Sequence, residues 1–212
     1  MSKPMRQRRA QPIRRVGAAL CAAMTVFGAT SCSLFDAEPP LVIGVTTESP
    51  ASGMTDAHAR DLAAYYGYWL SERKMRERDE ARAVEEVPVR AEDRWEAVRS
   101  GQVDLVFGCT GELLDSLDAH KAQLLRKLYA EQENPDPTEW RDISNTTLLS
   151  TLPAELAASI PGEAHGCADD SLPQNLIAVY AKGLMSREQR VAVNNATAGM
   201  DFDRSMTSLL NS

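Results

Sequence analysis

Short apolar, β-branched runs alternating with helical stretches constrain the fold of this chain more than any other feature. The runs LVIGV at 41–45 and VDLVF at 103–107 have the length and composition of buried strands, and AVEEVPV at 83–89 reads as a third. Between the first two strands, Thr55 or Asp56 can cap a helix reaching about residue 76, and 93–100 reads as a helix closed by Gly101. Strand, helix, strand, helix, strand over 41–116 implies a parallel sheet with helical cover. In such sheets ligands sit beyond the carboxyl ends of the strands. Here those ends are the loops at 46–53 and 108–111, rich in Gly, Ser and Thr.

The pattern then changes. Leucines at 113, 114, 117, 124, 125 and 128 mark a helix over 112–129, which Asn134-Pro135-Asp136-Pro137 breaks. Short helices are expected around 138–140, 145–152 and 153–160, followed by a loop at 161–173. QNLIAVY at 174–180 is a last strand. Ser186, with Glu188 close behind, caps a helix to about Thr197, and 201–210 is a final short helix. The expected organisation is an α/β lobe over 41–116 and 172–212 with a helical insertion at 117–171.

Upstream, residues 1–15 carry six basic and no acidic side chains, and an uncharged apolar run occupies 16–29. That run is about 21 Å long as a helix, against roughly 30 Å of membrane hydrocarbon. Basic, apolar and small-residue zones in this order read as an export signal over 1–31. Ala29-Thr30-Ser31 before Cys32 resembles the bacterial lipobox, which implies a lipid anchor on Cys32, with 32–40 as a short tether on the extracytoplasmic face of the cell membrane. Arg14-Arg15 leaves the Sec and twin-arginine export routes both open.

Beyond the leader 17 basic residues face 30 acidic ones, a balance of −13 that argues against nucleic acid as a partner. Of the four cysteines, Cys21 leaves with the leader and Cys32 takes lipid. Cys109 and Cys167 remain, and an oxidising compartment favours a disulfide between them. Two free thiols are the alternative. A zinc site adding His165 has a spacing that fits no common pattern, so no metal is expected.

A family resemblance rests on Arg94, Ala97-Val98, Gly101-Gln102-Val103-Asp104-Leu105 and Gly108-Cys109-Thr110-Gly111-Glu112. These resemble the first lobe of substrate-binding proteins of osmoprotectant ABC transporters, of the glycine betaine and choline type. Ile43-Gly44-Val45-Thr46-Thr47-Glu48-Ser49 resembles that family's first strand and ligand-facing loop, and Leu172-Pro173-Gln174-Asn175 with the strand to Tyr180 and the terminal helix resembles its return segment. The family's Tyr-Thr-Gly-Thr is matched here only at Thr110 and Gly111. The resemblance implies a parallel-sheet lobe of the type II periplasmic-binding-protein kind with a reduced, helical second subdomain. It also implies a small osmoprotectant-like solute at Thr46, Thr47, Thr110, Gly111 and Glu112, and an ABC transporter permease as partner.

A quaternary amine is held by an aromatic cage. Tyr65, Tyr66, Tyr68, Trp69, Trp95 and Trp140 are the candidates, though the helical spacing of Tyr65, Tyr66 and Trp69 points to the core. His58, His120 and His165 are far apart, no nucleophile elbow or phosphate loop occurs, and neither catalytic residues nor a cofactor is expected. The competing expectation is a ligand-free envelope protein that contacts a partner through the helical middle segment.

Overall fold

The computed structural model describes residues 40–47, 56–70, 83–164, 166–167 and 169–199. The expected leader, Cys32, the tether, most of the 46–53 loop, His165 and the helix at 201–210 lie outside the described residues. Within them the chain is a mixed α/β fold of one five-stranded sheet and five helices. The elements are β1 (Leu41–Thr47), α1 (Asp56–Leu70), β2 (Val84–Arg90), α2 (Arg94–Ser100), β3 (Leu105–Cys109), α3 (Thr110–Glu131), α4 (Pro137–Thr151), β4 (Leu156–Ala158), β5 (Leu176–Ala181) and α5 (Arg187–Ala198).

The sheet order is β2-β1-β3-β5-β4. β1 pairs in parallel with β2 and with β3, as the alternation of strands and helices implies. The expected parallel-sheet lobe holds for these three strands, and the sheet is mixed beyond them. β5 runs antiparallel to β3, with Leu105 opposite Tyr180 and Cys109 opposite Leu176, and β4 runs antiparallel to β5. A parallel strand needs a crossover back to the starting edge. Here α3, α4 and β4 bring the chain to the carboxyl edge of β3, from which it can only run back.

All five residues of β3 are buried, as befits a central strand. One face of the sheet packs Ile43, Val45, Phe107 and Ala178 against Tyr65 and Tyr66 of α1 and Val193 of α5. The other packs Val106, Ile177 and Val179 against Val98 of α2, Leu113 and Leu114 of α3, and Leu148 of α4. Trp95, Trp140 and Tyr129 belong to this second layer.

Several expected boundaries move, each for a local reason. β1 includes Thr46 and Thr47, which pair with Val89 and Arg90 and so extend the strand rather than begin the loop. Val103 and Asp104 precede β3. The Asp104 carboxylate accepts a hydrogen bond from Val42 N at 2.8 Å, and Asp104 N donates to Val42 O at 2.8 Å. α3 is kinked at Asp118, whose φ of −155° leaves the helix and whose Oδ1 accepts from Lys121 N, so the side chain caps a restarted helix. The two short helices expected at 138–140 and 145–152 are one helix, α4, with Asp136 as its cap and Pro137 in its first turn. The helix expected at 153–160 is instead the strand β4. Alanine-rich sequence favours helix, but Leu156–Ala158 completes the edge of β5 and tertiary pairing wins. The cap of α5 is a full capping box between Ser186 and Gln189, rather than an arrangement with Glu188.

Gly162 shows how tightly the return segment seats. A Cβ there would stand 2.0 Å from the Thr197 carbonyl oxygen of α5, while its backbone bridges Leu176. Gly162→Ala is therefore expected to cost about 1–3 kcal/mol in urea unfolding, by pushing the end of α5 off the sheet. A cost under about 0.5 kcal/mol would show that the contact yields.

Candidate functional site

The chain leaves β1 for β2 on one side and returns to β3 on the other, so the switch point of the sheet lies between β1 and β3. Their shared ladder is short: Ile43 pairs with Leu105 and Gly44 with Val106. The carboxyl ends of both strands extend beyond it, to Thr47 and Cys109. This edge is where an open α/β sheet receives a ligand.

Every expected ligand-binding residue lies along this edge. Thr46 presents a buried hydroxyl with no hydrogen-bond partner. Such a group costs free energy until an acceptor or donor arrives. Thr47 is placed by its backbone pairing to Arg90. Thr110, Gly111 and Glu112 form the first turn of α3, and each already has a partner within the chain. Thr110 N donates to Asn175 O at 2.9 Å and its Oγ1 accepts from Asn175 N at 3.1 Å. Gly111 N donates to Gln174 Oε1 at 2.9 Å, and Gln174 Nε2 donates to Asp169 O at 2.7 Å. The return segment therefore sits on the helix N-terminus that the resemblance assigns to a solute.

Glu112 is 5% exposed and pairs with Arg94, 1% exposed, from the first turn of α2. Arg94 Nε donates to Ala91 O at 3.0 Å, while its Nη1 is buried without a partner. Next to it Trp95 Nε1 donates to Ser116 Oγ at 2.9 Å. These contacts bind α2 to α3 across the end of the sheet. Gly108 makes room for them: a Cβ there would be 3.1 Å from Glu112 Oε2.

Cys109 and Cys167 are joined in a disulfide, with Cα atoms 5.8 Å apart. Cys109 is fully buried at the N-cap of α3, whereas Cys167 is half-buried. Beside Cys167 a shallow crevice of about 290 Å³ is lined by Arg141, Asp169, Asp170, Leu172 and Gln174, among others. One wall is fixed by Arg126. Its guanidinium donates to both oxygens of Asp115, at 2.8 and 2.5 Å, to Asp169 Oδ2 at 2.9 Å and to Ser171 Oγ at 2.9 Å. These bonds, Asp115 first, hold Arg126 above its ordinary pKa despite partial burial. Partial burial alone would raise Asp169, but hydrogen bonds from Ser171 and Arg126 more than offset it, and the carboxyl titrates below its usual range.

A depressed carboxyl contributes stability that is fully present above its unfolded pKa, about 3.9, and is lost as the pH falls through the lower folded value. Asp169→Asn is expected to destabilise the protein at pH 7 and to approach the parent's stability below about pH 3. Urea midpoints at the two pH values check this; a gap that does not narrow at low pH would rule out the linkage.

Among the described residues no aromatic side chain lines the crevice. Tyr66 stacks on Phe107 with ring centroids 5.7 Å apart and shares a 2.7 Å hydrogen bond with Thr197. Trp140 packs edge-on against Tyr129 at 5.4 Å. Tyr65, Tyr66, Trp95 and Trp140 are thus part of the core. His58 lies in α1 and His120 on the exposed side of α3. Among the described residues no cluster of His, Cys, Asp or Glu could hold a metal ion, and no helix is long and apolar enough to cross a membrane.

Sequence reasoning placed this edge but missed Arg94 as the partner of Glu112, Asn175 and Gln174 as the partners of Thr110 and Gly111, and Arg126 as the clamp on Asp169. The α3 contacts span 63 and 65 residues, and no local pattern announces them. No family model matches the chain, and neither a curated protein nor a solved structure matches it.

Proposed function

We propose that the chain is an extracytoplasmic bacterial lipoprotein, anchored through Cys32, that recognises a small osmoprotectant-like solute and works beside an ABC transporter permease. On this reading the sheet and its helices form a lobe of the type II periplasmic-binding-protein kind, with a reduced helical subdomain at 117–171. The observation that carries it is the edge between β1 and β3. The parallel ladder ends there at Gly44 and Val106, and Thr46 beyond it has a buried hydroxyl with no partner. The residues gathered on that edge offer hydroxyls and a buried guanidinium rather than an aromatic cage, so polar groups of the solute are recognised before any quaternary nitrogen.

Calorimetry of the acylated protein against betaine, choline and proline tests the reading. Heat and a thermal shift with at least one solute, lost in Thr46→Val, are expected. Silence with all three in protein shown to be folded would remove solute recognition.

A second reading has its own observation. Leu124 and Leu128 of α3 and Leu149 of α4 are each 44–46% exposed, within the helical segment 112–160. Large apolar side chains left in solvent on two neighbouring helices favour a protein partner. Leu124→Lys with Leu128→Lys distinguishes the two readings. A partner-binding role predicts a pull-down that this variant loses and no solute heat in the parent; a solute-binding role predicts solute heats that this variant leaves unchanged.

A further inference from the structure

The disulfide is asymmetric in a way that its stabilising role does not require. Cys109 is 0% exposed and stands at the N-cap of the 22-residue α3. Cys167 is half-buried and lines the crevice beside Arg141 and Gln174. The sulfur of Cys109 is therefore closed to a nucleophile, whereas Cys167 borders an open crevice. We propose that Cys109–Cys167 is an exchangeable disulfide, attacked at Cys167 from the crevice by a dithiol oxidoreductase or small dithiol, with Cys109 as the leaving thiolate. This goes beyond the solute reading and does not depend on it.

The exchange balances without any other reactant. A thiolate of the dithiol attacks Cys167 Sγ. The bond to Cys109 breaks, Cys109 leaves with the electron pair, and a mixed disulfide forms at Cys167. The second thiol of the dithiol, as thiolate, then attacks its own partner sulfur and expels Cys167. Protons released by the dithiol end on the two cysteines. The dithiol is oxidised to a disulfide and the bridge reduced to two thiols.

Two structural facts favour this order. A thiol that leaves as thiolate departs faster when its pKa is low, and a helix N-terminus stabilises the anion. The competing charge in that turn, Glu112, is already paired with Arg94. The second fact is that the return segment has anchors on both sides of Cys167 that do not need the bridge. Gly162 exchanges backbone hydrogen bonds with Leu176 at 2.9 and 3.2 Å, and Asp169 is held by Arg126 at 2.9 Å. Reduction therefore releases only the stretch between Gly162 and Asp169. Within it Gly166, at φ +77°, packs so closely on the His58 ring that a Cβ would lie 2.5 Å from it. Breaking the bridge lets that contact with α1 loosen and opens one wall of the crevice, while β3 and β5 stay paired.

The test traps the intermediate. The intact oxidised chain is incubated, without denaturant, with a thioredoxin-like protein whose resolving cysteine is replaced by serine, and the adduct is mapped by peptide mass. Adduct on Cys167 alone is expected. In parallel, dithiothreitol should reduce the bridge in the folded protein, with amide exchange rising between 162 and 169 and unchanged in β3 and β5. Adduct on Cys109, no adduct together with resistance to dithiothreitol until denaturant is added, or loss of protection across β3 and β5 on reduction would each overturn the proposal. The Cys167→Ser variant adds an independent reading of the leaving group. Its Cys109 thiol should titrate below the ordinary cysteine value of about 8.5; at or above that value, burial outweighs the helix terminus and the proposed order of exchange is wrong.

Discussion

Glu112→Ala should cost about 3–5 kcal/mol in urea unfolding, because it strands a guanidinium that the fold has taken out of water. Arg94 is 1% exposed and its Nη1 has no hydrogen-bond partner even in the intact protein. Removing Glu112 leaves the charge buried with one hydrogen bond, from Nε to Ala91 O. The double variant Arg94→Met, Glu112→Leu removes both charges and keeps the volume, so it should recover most of the loss and can match the parent. The informative quantity is the ordering: the single variant far below the double. If Glu112→Ala unfolds at the parent's midpoint, the pair is not the element that joins α2 to α3.

Breaking the bridge has a comparable cost but a different origin. Cys109 and Cys167 close a separation of 58 residues. In the chain-entropy model that restricts the unfolded ensemble by about 4 kcal/mol. For a chain of this size the midpoint of thermal unfolding should fall by roughly 10 °C in Cys109→Ser. Thermal unfolding of the variant beside oxidised and reduced parent measures it. The reduced parent should match the variant within a few degrees. A variant as stable as the oxidised parent would mean that the unfolded chain is already constrained between these positions. The folded state itself should persist after reduction, since the sheet is held by β3–β5 pairing that the bridge does not supply.

The order of β1, α1, β2, α2 and β3 is legible in the sequence because β1 and β3 are short apolar runs, β2 carries valines between charged residues, and each helix has a candidate cap or stop. The bridge is legible too, once Cys21 and Cys32 are set aside. What is not legible depends on contacts between distant parts of the chain. The Ala- and Leu-containing stretch at 156–158 prefers helix when read locally and becomes β4 only because β5 offers an edge. The direction of β5 cannot be read from LIAVYA; it follows from where α4 and β4 return the chain. Thr110 and Gly111 are legible through the family resemblance, but their partners, Asn175 and Gln174, stand in a different segment. Arg94 could be quoted as part of a motif without revealing that its guanidinium meets Glu112, 18 residues away on another helix.

The placement of β5 in the middle of the sheet also sets the order in which the protein can be assembled. Synthesis delivers β3 some 67 residues before β5 reaches it, so a strand buried at all five positions exists for a time with one bare edge. Unpaired apolar edges recruit other chains. Until residue 181 has emerged, the nascent chain needs either a holding chaperone or rapid cover from α3, and truncations ending between 131 and 175 should aggregate rather than fold.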